Sequence, residues 1–216
     1  MLTFEWYGQA CFRIEDSSVL VTDPHNGETV GLNPPPADVA DLVTISHGHH
    51  DHASGKDLVA REESVIKEEP GSFTAKGVQL TGIQSYHDKE KGAERGENVI
   101  FVFEMEGLRI CHLGDLGHML DEGTAEKIGS IDVLLIPVGG NYTIDGAEAV
   151  KTTEQLSPQV VIPMHYKVAG LTVDISGPEE FLSGVGPAYE VTKREKLELE
   201  EMPGERRVFK LDCLAS

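Results

Sequence analysis

The chain reads as a mixed α and β domain. Three observations predict this: short apolar runs separated by turn residues fill the N-terminal part, helix-like and strand-like stretches alternate after residue 54, and no linker or low-complexity tract interrupts the 216 residues. Residues 2–7, 10–15 and 18–22 are short runs joined by turns and predict three strands that open a first sheet. Asp23-Pro24 stops the third. The run Gly31-Leu32-Asn33-Pro34-Pro35-Pro36 can continue neither a helix nor a central strand and predicts a stiff loop. Residues 41–46, Asp-Leu-Val-Thr-Ile-Ser, suit a buried strand. Ser54-Gly55-Lys56-Asp57 has capping-box spacing and predicts a helix over 54–61. Further helices are expected near 118–128, 144–156 and 178–184, interleaved with strands near 64–67, 78–86, 98–106, 108–113, 132–137 and 159–164.

A length of 216 residues suits a single domain, 1–216, that buries a substantial core. Hydrophobic content of 39% beside 25% charged residues is ordinary for a globular protein. No apolar run approaches the roughly 20 residues needed to span a bilayer, so no membrane association is expected. The N-terminus lacks the basic start and apolar middle of a secretory signal, and three cysteines, Cys11, Cys111 and Cys213, show no close spacing. Reduced thiols in a cytoplasm fit both observations, with Cys11 and Cys111 in the core. A formal net charge of −19 argues against a long nucleic-acid surface, which would need basic groups to neutralise phosphates. The acidic pairs Glu62-Glu63, Glu68-Glu69 and Glu179-Glu180 and the run Glu198 to Glu201 read as solvated faces. The expected partner is a small-molecule substrate; oligomeric state is open, a homo-oligomer included.

Four of the nine histidines fall within six residues, His47-Gly48-His49-His50-Asp51-His52. If a buried strand leads into this run, His47 and His49 project to the same side of extended backbone and can share one metal ion. Asp51 and His52, on the tight connection before a helix, aim differently and suit a second. Neutral imidazole with carboxylate favours zinc or another first-row divalent metal, whereas calcium or magnesium would want oxygen ligands almost throughout. The alternative, a histidine-rich surface tract that binds metal without function, is weakened by the specificity of the spacing.

His47-x-His49-x-Asp51-His52 resembles the signature of the metallo-β-lactamase fold superfamily of metal-dependent hydrolases. Three later positions fit the same pattern, each after an apolar run of strand type: His87 after 81–86, Asp115 after 108–113 and His165 after 160–164. The resemblance covers roughly residues 1–170 and implies an α+β, four-layer αββα sandwich with metals at one end of two facing sheets. It implies that His47, His49 and His87 hold one divalent ion and Asp51, His52 and His165 a second, with Asp115 bridging them. Zinc is favoured, and manganese, iron or nickel are accepted by such ligands. Two ions about 3.5–4 Å apart can lower the pKa of a shared water towards neutrality, so hydrolysis is the natural reaction, with Asp51 orienting the hydroxide.

Around these seven the candidates are weaker. Asp23 occupies the place of the superfamily's early aspartate and either accepts a proton from a metal-bound imidazole or simply turns the chain before Pro24. His25, His50, His112 and His118 are left over as pocket-wall residues or proton donors to a leaving group. Gly139-Gly140-Asn141-Tyr142 is expected at the mouth of the site, with Asn141 on substrate. Lys89, Lys91, Arg95 and Lys167 lie near His87 or His165 in sequence and read as surface cations or as attractors of an anionic group. Tyr86-His87-Asp88, Arg95-Gly96-Glu97-Asn98 and the stretch from His112 to His118 are similar to a small cytoplasmic branch that includes ascorbate 6-phosphate lactonase, from which this chain departs by being shorter. The leading expectation is a dinuclear hydrolase of a small ester, lactone or phosphoester. A phosphodiesterase or nuclease, and a non-catalytic metal-binding or regulatory protein of the same fold, are the alternatives.

Overall fold

Alternating burial builds the first sheet. In the computed structural model, which describes residues 1–216 apart from the side chain of Pro187, β1 (Leu2–Trp6) buries Leu2, Phe4 and Trp6, and β2 (Phe12–Glu15) buries Phe12 and Ile14. Their polar alternates face the other way, as period-two geometry requires. β3 (Val19–Thr22) and β4 (Ala40–Thr44) follow, then two single-turn helices, α1 (His50–Ala53) and α2 (Lys56–Val59), and β5 (Ala60–Lys67). The second sheet draws on β6 (Gly71–Ala75), β7 (Val78–Tyr86), β8 (Glu97–Met105), β9 (Leu108–His112), β10 (Val133–Pro137) and β11 (Val160–Met164), with α3 (Glu122–Ile128) and α4 (Gly146–Leu156) between its later strands. After α5 (Glu179–Gly184), β12 (Glu190–Arg194) and β14 (Arg207–Leu211) join the second sheet and β13 (Leu197–Leu199) the first.

The six-stranded sheet has the order β13-β1-β2-β3-β4-β5 and the eight-stranded sheet the order β12-β14-β11-β10-β9-β8-β7-β6. They meet face to face. Trp6 of β1 packs on Tyr166, just beyond β11, at 4.7 Å between rings, and Phe12 of β2 meets His112 of β9 edge-on at 6.3 Å. β10 and β11 are buried along their whole length, as expected of parallel strands covered on both faces. Ile128 of α3, Ala149 of α4 and Phe181 of α5 belong to the same core cluster as those strands. The outer face of the six-stranded sheet is covered differently. Val21, Val43 and Ile45 pack there against Val30, Leu32, Val59, Leu171 and Ile175, so this fourth layer is loop with single helical turns.

Strand direction places the site. β1, β3 and β4 run the same way, as do β7, β9, β10 and β11. The loops that carry Asp23, the histidine-rich run, His87, Asp115 and His165 therefore all leave the C-terminal ends of co-directional strands.

Two expectations fail locally. The helix over 54–61 shrinks to the single turn of α2, Lys56–Val59: Ser54 Oγ accepts the N–H of Asn26 at 3.0 Å instead of capping it, and Gly55 stands at the N-cap with no side-chain hydrogen bond. Residues from Ala60 onward pair with β4, because a ladder to a buried strand outweighs a weak local helical preference. The helix expected from 118 starts at 122, where Asp121 accepts the N–H of Thr124 at 2.6 Å. β6, β12, β13 and β14 carry too little alternation to stand out in the sequence; β13 buries only Leu197 and Leu199 around an exposed Glu198.

Two glycines hold the later loops in place. A β-carbon on Gly117 would collide with the backbone of His87 and Asp88, and one on Gly139 with the carbonyl of His165. Only the missing side chain allows these approaches. Gly117→Ala is expected to lower the unfolding free energy of the metal-free protein by about 1–3 kcal/mol, the usual penalty of overpacking, as read from urea denaturation.

Candidate metal centre

Asp115 Oδ2 is the point on which the cluster converges. His52 Nε2 lies 3.1 Å from it, His165 Nε2 3.2 Å, His87 Nε2 3.3 Å and His47 Nε2 4.0 Å. Two donor atoms that share a first-row cation at about 2.0–2.2 Å sit roughly 3–3.5 Å apart, so three of these separations suit common coordination. One ligand atom each from His47, His49 and His87 lies within 4.8 Å of the others, and Asp51, His52, Asp115 and His165 form a second such group. Asp115 Oδ2 touches members of both, as a bridging carboxylate would. The buried Asp115 Oδ1 has no hydrogen-bonding partner. Leaving such atoms unpaired is costly, so the donor set fits divalent cations.

Local structure aims each group. His49 sits in extended backbone (φ −67°, ψ 154°) and presents Nδ1 3.0 Å from His47 Nε2. Asp51 and His52 lie inside the single turn of α1 rather than on a connection ahead of a longer helix, and this points them at the second group. Asp23 both turns the chain and hydrogen-bonds an imidazole. It turns the chain in left-handed backbone (φ 41°), and its carboxylate accepts from Ser46 N at 2.6 Å, Ser46 Oγ at 2.6 Å and His52 Nδ1 at 2.9 Å. With Nδ1–H held by Asp23, Nε2 is the His52 nitrogen that would give up its proton to take a cation, on the side facing Asp115.

Three residues to which the sequence assigned no role support the cluster. Buried Asn98 donates to Ser85 Oγ at 2.7 Å and Leu113 O at 2.9 Å while its Oδ1 accepts the N–H of Asp115 at 2.9 Å. Asp88 gathers four backbone N–H groups, from Glu90, Gly92, Glu94 and Arg95, at 2.7–3.0 Å and so folds the loop after His87. Gln9 reaches Asp51 Oδ2 at 2.7 Å. The signal available for Gln9 was its place in the turn between two predicted strands, which does not reveal what it faces.

A cleft of about 430 Å³ opens beside the cluster, lined by Thr29, Val30, His50, Glu94, Arg95 and Tyr142 as well as by His49, Asp51, His87, Asp115, His165 and Val173. Several candidates stay outside it. His25 and His112 are fully buried, their Nε2 atoms donating to the carbonyls of Tyr7 at 2.8 Å and Ala10 at 2.9 Å, so neither can hand a proton to a leaving group. His118 donates from Nδ1 to Met119 O at 2.8 Å and accepts from Tyr86 N at 3.3 Å. Asn141 is spent on Asp174 O at 2.7 Å, and its neighbour Tyr142 reaches the cleft instead. Of the four nearby cations, Lys89 pairs with Glu148 and Lys167 donates to the carbonyls of Leu171 and Val173. Arg95 is the one at the cleft, its guanidinium 4.8 Å from the Tyr142 ring centre.

Comparison with known proteins agrees with this geometry. A family model described as the beta-lactamase superfamily domain matches residues 3–165. The chain belongs to the metallo-β-lactamase superfamily. A relative from Thermococcus onnurineus, named a UPF0173 metal-dependent hydrolase, is 31% identical over 88% of this chain and 95% of its own. A crystal structure from Thermotoga maritima, described as a candidate Zn-dependent hydrolase of the same superfamily, is 39% identical, covers 98% of both chains and superposes with a TM-score of 0.79. A structure from Parabacteroides distasonis, 18% identical with a TM-score of 0.69 over 86% of this chain and 89% of that one, shares the fold.

In this superfamily site the electrostatics of the bare protein are lopsided. Burial, with help from the neighbouring His52, lowers the pKa of His47 to about 3, and burial likewise lowers His25, His87 and His112. His52 is the exception: burial opposes its charge, yet Asp115 and Asp51 outweigh burial and hold its pKa well above the ordinary value. Burial alone would raise Asp115 and Asp51, but the surrounding imidazoles hold both carboxyls far below the carboxylate range. Four histidines thus stay neutral in the folded state where the unfolded chain would take up protons. Stability of the metal-free protein is expected to fall as pH drops from about 6.5 toward 3, since the unfolded state binds more protons across that window; His52, charged in both states there, does not offset it. Urea midpoints of chelator-treated protein between pH 7.5 and 4 measure this, and a flat profile would contradict it.

Proposed function

We propose that the chain, acting as one domain, is a dinuclear metal-dependent hydrolase of a small ester, lactone or phosphoester. The observation that carries the reading is the convergence of both side-chain groups on Asp115 Oδ2. His47, His49 and His87 would hold one cation, Asp51, His52 and His165 the other, and Asp115 would touch both. Zinc suits this donor set, and manganese, iron or nickel are accepted by it. Cations held there supply a lowered water pKa and polarisation of the electrophilic carbonyl or phosphoryl oxygen.

The chain's own residues would do the rest. Asp51 is the more solvent-facing of the two carboxylates, its side chain 24% exposed against 2% for Asp115. In this reading it would orient the attacking water or hydroxide. Asp23 keeps His52 in one tautomer and one orientation. His50, on the cleft wall, is left as the histidine within reach of a leaving group, since His25 and His112 are sealed in the core.

Arg95 supports a substrate with an anionic substituent. It is the only Lys or Arg among the residues lining the cleft, in a chain of net charge −19. One cationic side chain beside the cleft favours a small anion over a nucleic-acid strand, which would need a basic track.

Asp115→Ala is expected to reduce bound metal from two equivalents to less than one and to abolish hydrolysis. Elemental analysis of the purified protein, paired with a panel of esters, lactones and phosphodiesters, tests this. Full metal content in the variant would remove the bridging role, and turnover of no substrate by the metal-saturated wild type would favour a binding protein. Arg95→Gln should raise KM about tenfold for carboxylate- or phosphate-bearing substrates, the loss expected of one charged hydrogen bond, and leave neutral analogues within about twofold. Equal effects on both would exclude anion recognition by Arg95.

A further inference from the structure

The turn between β1 and β2, Tyr7-Gly8-Gln9-Ala10, is held more tightly than a hairpin needs. Each of its backbone carbonyls is engaged: Tyr7 O by His25 Nε2 at 2.8 Å, Gly8 O by Cys11 N at 2.9 Å, Gln9 O by His165 N and Trp6 Nε1 at 3.0 Å each, and Ala10 O by His112 Nε2 at 2.9 Å and Thr22 Oγ1 at 2.8 Å. Two histidines that chemistry would have claimed for catalysis serve here as clamps. The turn they fix sets Gln9 in left-handed backbone (φ 45°), fully buried. A bulky residue adopts that conformation only where its surroundings impose it.

Its side chain points into the cluster. Gln9 Nε2 lies 2.7 Å from Asp51 Oδ2 and 3.2 Å from His165 Nε2, while Oε1 is buried without a partner. Exchanging amide oxygen and nitrogen would set two acceptors against each other at the Asp51 contact, so the N–H must face the carboxylate. The same residue therefore grips one member of the second group through its side chain and another through its backbone carbonyl. His165 itself stands in left-handed backbone (φ 50°), and its N–H is secured by that carbonyl.

We propose that Gln9 is a positioning residue for the second cation, fixing Asp51 and His165 in the arrangement that binds it. This rests on the two-cation reading above. None of His47, His49 and His87 contacts Gln9 by hydrogen bond, so the first cation should not depend on it.

Titration of zinc into chelator-stripped protein, followed by calorimetry and elemental analysis, tests the assignment on the full chain. Gln9→Leu, close in size but without a donor, should weaken the second equivalent by about 10- to 100-fold, the usual effect of losing a partner that orients a ligand, and leave the first within about threefold. Gln9→His keeps an N–H of similar reach and should recover the second equivalent to within about tenfold of wild type. A merely structural role would lower both affinities together along with Tm. Parallel loss of both equivalents, or a second equivalent unchanged in Gln9→Leu, overturns the proposal. A wild type that takes up a single zinc overturns the two-cation reading, and this inference with it.

Discussion

The placement of the Asp115 carboxylate among four imidazoles is the constraint that the rest of the molecule serves. A carboxylate 2% exposed at the end of a buried strand would be expensive if left alone. Here His52, His87 and His165 present nitrogen to the same oxygen at 3.1–3.3 Å. Asn98 satisfies the backbone N–H of Asp115 and ties its loop to β7 and β9 through Ser85 and Leu113. Charge that would unfold an ordinary core becomes a centre able to hold divalent cations.

The two-sheet scaffold makes this possible because it is packed on both faces where the candidate ligand loops leave it. β10 and β11 are buried on both faces, and the sheets interlock through Trp6 on Tyr166 and Phe12 on His112. Loops from co-directional strands then start from one edge and need few residues to converge. Gln9, Asp23 and His165 take up left-handed non-glycine backbone at these exits. Gly117 and Gly139 let neighbouring loops approach closely enough to lock His87 and His165.

Much of the site was legible in the sequence because its chemistry is dense in residue type. Four histidines around Asp51 have no packing explanation, and His87, Asp115 and His165 each follow an apolar run that reads as a strand. The strands themselves were legible where burial alternates or is continuous, as in β1, β7, β10 and β11. Edge strands such as β6 and β12 were not, because their side chains are mostly exposed and carry little pattern. The helix expected over 54–61 misled because Ser54 has the right local spacing but a distant partner, Asn26.

The sequence by itself determined the candidate ligand types, their order along the chain and the alternation of elements that carries them, since these depend on residue chemistry and on short-range period. Only the tertiary structure decided the roles of polar residues with several possible partners. His25 and His112 became clamps on a turn, Asn141 was drawn to Asp174, and Gln9, plain in sequence, came to lie 2.7 Å from Asp51. A hydrogen bond between residues 42 positions apart leaves no trace in local pattern, because it exists only once two sheets have packed and brought separate loops to the same edge.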